Sequence, residues 1–123
     1  MIEYSYGAMV ASWGYEILDM EPFGEYHGDY AVLLQDGNRY GWLTFGYGSC
    51  SGCDTMEYLD YGGGTEKEYI EFAEQVRNEI KWDSARGLAD WLSDTEIQEG
   101  KYSWHEDGYP EYVKAAVEKL RAR

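Results

Sequence analysis

A hairpin centred on Asp36-Gly37-Asn38 constrains this chain more than any other feature. Residues 29–35 form a short, mostly apolar strand, and residues 39–47 return as its partner. Between them, Gly and Asn tolerate the positive φ that tight turns demand. In the returning strand Tyr40, Trp42 and Thr44 fall on one face, and Leu43, Phe45 and Tyr47 on the other. Successive strand side chains point to opposite faces, so apolar residues on both predict a central strand.

Upstream, Trp13, Tyr15 and Ile17 alternate within residues 13–20 and predict another strand, which Pro22 and Gly24 break. Downstream the hydrophobic period turns helical. Asp54-Thr55-Met56-Glu57 and Thr65-Glu66-Lys67-Glu68 both have capping-box spacing. The first opens a short helix stopped by Gly62-Gly63-Gly64. The second opens an amphipathic helix over residues 66–81, with Tyr69, Phe72, Ala73, Val76 and Ile80 inward. Ser84 caps a helix over residues 85–93, residues 101–104 read as a short edge strand, and Pro110 suits the first turn of a last helix. Strands first and helices afterwards predict an α+β fold. Its small antiparallel sheet has a central hairpin (about 29–47) and packs on one face against three or four C-terminal helices. With no linker or repeat, 123 residues predict one compact domain, 1–123.

Charge is the second strong signal. Twenty-four acids against ten bases give a net charge of −14. Up to Gly64, Arg39 is the one base against ten acids, a sum of −9; from Thr65 onward fourteen acids and nine bases sum to −5. Such a surface repels nucleic acid and anionic membrane and steers toward basic proteins or cations. It also serves solubility. No apolar run approaches the roughly 20 residues of a membrane span, and the first residues have neither the basic nor the apolar region of a signal peptide. The expected compartment is the cytoplasm, where stable disulfides are uncommon.

Both cysteines lie in Cys50-Ser51-Gly52-Cys53, after a predicted strand and before a predicted helix start. A thiol there would have its pKa lowered by the helix N-terminus, as in thioredoxin-like motifs. Against a redox role stand a following helix of about two turns, the lack of a preceding βαβ unit and the negative charge of Asp54 beside Cys53. Cys50 and Cys53 are also half of a tetrahedral zinc site, with His27, His105 and Asp54 as remote candidates for the rest. No second Cys-x-x-Cys or His-x₃₋₅-His supplies the missing pair. The favoured reading is a structural corner, shaped by Gly46, Gly48 and Gly52, with the cysteines acting as small apolar groups.

No catalytic constellation emerges. Two histidines and no supporting motif make no Ser-His-Asp arrangement, and Gly46-Tyr47-Gly48 lacks the third glycine of a nucleotide loop. Nucleic-acid binding fits poorly, because tyrosines in the sheet half lack a cationic groove. The inverse arrangement is the other reading, acids on a rigid sheet imitating the field of duplex DNA, set against a solvated acidic face over a tyrosine-rich core, which is favoured for any single residue. Glu16, Asp19, Glu21, Glu25, Asp29 and Asp36 are the candidate partner-binding acids, with Tyr26 and Tyr30 as aromatic anchors within the charged rim.

Asp36-Gly37-Asn38-Arg39-Tyr40-Gly41-Trp42, followed by Gly46-Tyr47-Gly48-Ser49-Cys50-Ser51-Gly52-Cys53-Asp54, resembles a group of small proteins of bacteriophages and their bacterial hosts with no assigned activity. The resemblance covers residues 23–60 and, more loosely, Lys81-Trp82 and Leu88-Ala89-Asp90. It implies a phage or mobile-element origin, where small acidic proteins often inhibit host defence or regulatory proteins. The expectation is a non-enzymatic binding protein of the anti-CRISPR kind, directed at a basic host protein, with no cofactor and no direct contact to nucleic acid or membrane. The alternative is a Cys-x-x-Cys module with a zinc-binding or thiol-redox role.

Overall fold

The computed structural model describes residues 5–23, 28–47, 65–97 and 108–123. In chain order they form helix α1 (Tyr6–Ser12), strands β1 (Glu16–Phe23), β2 (Gly28–Asp36) and β3 (Arg39–Tyr47), and helix α2 (Glu66–Arg77). Strand β4 (Lys81–Asp83), helix α3 (Ala85–Trp91), a wide helical turn over Leu92–Ile97 and helix α4 (Tyr109–Arg121) follow. The sheet is antiparallel with strand order β1-β2-β3-β4, as an α+β fold requires.

The hairpin has the expected centre. Asp36 pairs with Arg39 across a two-residue turn. Gly37 takes φ 62°, and no described non-glycine residue has a positive φ. Gly37 alone therefore supplies the left-handed residue, the φ pattern of a type II′ turn with Gly first.

Helices cover both faces of the sheet, where the sequence predicts one. On one side Ala31, Leu33, Tyr40 and Trp42 meet Leu88, Ala89 and Leu92, together with Tyr109, Val113, Ala116, Val117 and Leu120 of α4. On the other Val32, Leu34, Leu43 and Phe45 meet Met9 and Val10 of α1 and Tyr69, Ala73 and Val76 of α2. The physical reason lies in β2 itself. Ala31, Val32, Leu33 and Leu34 are each 0% exposed, so the strand shows none of the polar alternation of a sheet with one wet face. Burying each leucine of this core contributes about 1.5–3 kcal/mol.

Other expectations shift. The strand expected at residues 13–20 begins at Glu16 and runs through Pro22 to Phe23. Proline is tolerated because β1 is an edge strand, with one side free of the ladder. Residues 6–12 form a helix that the sequence reading does not predict. Ser5 caps it, accepting from Ala8 N–H at 3.1 Å, but no acidic residue completes a capping box. Thr65 caps α2 through Glu68 N–H at 3.2 Å, as expected, yet α2 stops at Arg77 because residues 81–83 are needed as β4. Ser84 caps α3 through Gly87 N–H at 3.1 Å. The helix expected after Asp54 and the strand at residues 101–104 lie outside the described residues.

Candidate functional site

Register decides where the acids of β1 point. Glu16 pairs with Gln35, Asp19 with Leu33, Glu21 with Ala31 and Phe23 with Asp29. Because Ala31 and Leu33 belong to the core beneath α3 and α4, Glu16, Asp19, Glu21 and Asp29 share that side of the sheet. Strict alternation would put residue 16 on the opposite side from residues 19 and 21. The register shift between Ile17 and Asp19 takes up Leu18 as one extra residue and restores the parity. Leu18 packs against the same core. The partners of Glu16, Asp19 and Glu21 on β2 are two residues apart, an interval of about 6.8 Å.

Glu16 and Glu21 are exposed, while Asp19 and Asp29 are half-buried. Asp19 accepts from Met20 N–H at 2.9 Å and lies 3.9 Å from Lys119 Nζ of α4. The Tyr112 hydroxyl of α4 donates to the Ala31 carbonyl at 3.4 Å. Burial, then the charges of Asp19 and Glu21, hold its pKa well above that of an ordinary tyrosine. The field of the acidic row therefore reaches α4.

Asp36 and Tyr30 do not join that row. Asp36, at the hairpin tip, accepts from Arg39 Nη2 at 2.7 Å and Nε at 3.0 Å. Tyr30 faces the other side of the sheet, half-buried, with its ring stacked on Phe45 at 5.3 Å and beside Tyr6 at 5.3 Å. Glu25, Tyr26, Cys50 and Cys53 lie outside the described residues, as do His27, Asp54 and His105. Among the described residues, no group of three or more His, Cys, Asp or Glu side chains could hold a metal ion. None of the described helices is long and apolar enough to cross a membrane.

Sequence reasoning missed how the cations gather. The Arg39 guanidinium lies 4.0 Å over the Trp82 ring, Lys81 Nζ 5.8 Å from the Trp91 ring and the Arg123 guanidinium 5.8 Å from the Tyr40 ring. Two of these contacts depend on β4, whose pairing of Tyr40 with Asp83 and Trp42 with Lys81 is too short for an alternation signal. Arg77 Nε donates to the Tyr15 hydroxyl at 3.0 Å. That bond raises the Arg77 pKa, and Glu74 adds to it. Tyr15 meets Trp82 edge-on at 4.8 Å, so one aromatic-cation chain links α2, the approach to β1 and β4. Compared with known proteins, the chain matches no protein-family model, no curated protein and no solved structure.

Proposed function

We propose that this is a non-enzymatic acidic binding protein, a phage-type inhibitor of a host nucleic-acid-binding or defence protein such as a CRISPR effector or similar nuclease. The observation that carries it is the β1 bulge, which sets Glu16, Asp19 and Glu21 on one side of an edge strand, with Asp29 near its end. The row belongs to a chain of net charge −14. A rigid sheet holding carboxylates in line favours a basic groove, because complementary fields speed encounter and fix register. The phage-type element of the reading rests on the resemblance over residues 23–60.

Magnitudes define what kind of mimicry this is. Duplex DNA presents a charge about every 1.7 Å of axis, or about every 3.4 Å per strand. The row's strand positions, about 6.8 Å apart, set at most half the linear charge density of one strand, and Lys119 offsets part of the Asp19 charge. The row imitates the sign and direction of a DNA field rather than its spacing, so contacts beyond it must fix the partner's identity.

Affinity capture from the native host, identification of the bound protein, and competition of that complex with DNA test the reading. A basic partner released by DNA is the expected result. A partner that holds DNA and this protein together would count against occlusion of its groove. The alternative Cys-x-x-Cys role rests on Cys50 and Cys53, which lie outside the described residues; metal analysis and a free-thiol count address it.

A further inference from the structure

On the same side of the sheet as the acidic row, a cleft of about 370 Å³ opens between α3 and the end of α4. Among the described residues it is lined by Arg86, Asp90, Leu120, Arg121 and Arg123. Three arginines thus line one cleft in a protein with only ten basic residues. Arg121 is engaged: its Nη2 lies 3.3 Å from Asp90 Oδ1 and 3.3 Å from Ser93 Oγ. Arg123 stands 5.8 Å from the Tyr40 ring. Among the described residues neither Arg86 nor Arg123 has a carboxylate partner, although the protein carries 24 acids.

Three guanidiniums against one carboxylate leave two positive side-chain charges facing one cavity. We propose that this cleft binds a phosphate-type oxyanion, with Arg86 and Arg123 as its main ligands and Arg121, steadied by Asp90, as the third. Planar guanidinium forks match tetrahedral oxyanions through paired N–H donors. The cleft lies within the size range of small-molecule pockets, about 300–1,000 Å³, so it accommodates free phosphate or the phosphate group of a small organic ester.

The test is ligand-dependent thermal stabilisation, which requires binding to the folded chain. Inorganic phosphate and ribose 5-phosphate are titrated against sodium chloride at matched ionic strength. The proposal expects a saturable rise in Tm with either phosphate compound that chloride does not reproduce. Tighter binding of the ester would assign the site to an organic phosphate, and equal binding to the free anion. Affinity should fall by about tenfold or more in Arg86→Gln and in Arg123→Gln, because each loses charge-assisted bonds. It should be unchanged in Lys67→Gln, which removes one charge from α2 on the far face of the sheet. An equal rise with chloride, or the same affinity in all three variants, would overturn it. Both arginines are exposed, and far-ultraviolet circular dichroism checks that each variant keeps its fold.

Discussion

Gly41 is buried opposite Trp82 in the β3–β4 pair. A Cβ placed there would come within 2.7 Å of Ile80 Cγ2 and 2.9 Å of the Trp82 ring. Gly41→Ala should therefore cost about 1–3 kcal/mol, read as a lower urea midpoint with the m-value unchanged. Tyr112 makes a second prediction. Below pH 10.0, the ordinary tyrosine value, folded and unfolded chains both keep the phenol proton. Above it the unfolded chain loses the proton first, because the folded pKa is raised, so stability falls as pH rises. Tyr112→Phe should lower stability at neutral pH but shrink the loss between about pH 9 and 11. An alkaline slope identical to that of the unaltered chain would contradict the assigned burial. Neither residue announces itself in the sequence: Gly41 needs knowledge of β4, and Tyr112 needs knowledge of what α4 covers.

The elements most legible in the sequence are those whose signals are local. The hairpin turn, the Thr65 and Ser84 caps, and the apolar stripes of α2 and α4 all require only neighbours along the chain. Helix α1 has no stripe long enough to count, and its Ser5 cap lacks an acidic partner three residues on. β4 is three residues long, below the length at which alternation is visible. The apolar residues on both faces of β3 predict a central strand but not helices on both sides of the sheet, because α1, part of that second cover, leaves no signal of its own. If α1 closes one face as described, Met9→Ala should cost about 2–5 kcal/mol, comparable to Leu120→Ala on the other. Both side chains are almost wholly buried, at 0% and 1% exposed. Chemical denaturation of the two variants checks this; a negligible cost for Met9→Ala would mean that α1 is not part of the core.

For the whole molecule, charge separation is the central theme. The acidic row on β1 and the arginine cleft between α3 and α4 lie on the same side of the sheet but on different elements. Composition alone shows an acidic N-terminal half; it does not reveal that a bulge at Leu18 aligns three carboxylates. Nor does it show that Asp36 is held by Arg39 and that Tyr30 is turned into the aromatic cluster behind the sheet. Those two are separated from the row by hairpin geometry and strand parity, which act over distances that residue types do not encode. The edge position has a further consequence. Charges along an exposed edge strand discourage pairing with another sheet, so Glu16→Val with Glu21→Val should raise self-association, seen as a larger sedimentation coefficient at high concentration. A monomer unchanged by both substitutions would show that the acids do not guard the edge.

The most direct test of the acidic row as a binding surface is the salt dependence of affinity for the captured partner, compared between this chain and Glu16→Gln/Asp19→Asn/Glu21→Gln. Salt screens exposed charges over about 10 Å at 0.1 M and about 3 Å at 1 M. The account predicts that affinity falls steeply as salt rises across that range. The triple variant should bind more weakly at low salt and show a shallower slope, so that the two curves converge at high salt. Equal slopes and equal affinities for the two proteins would contradict it.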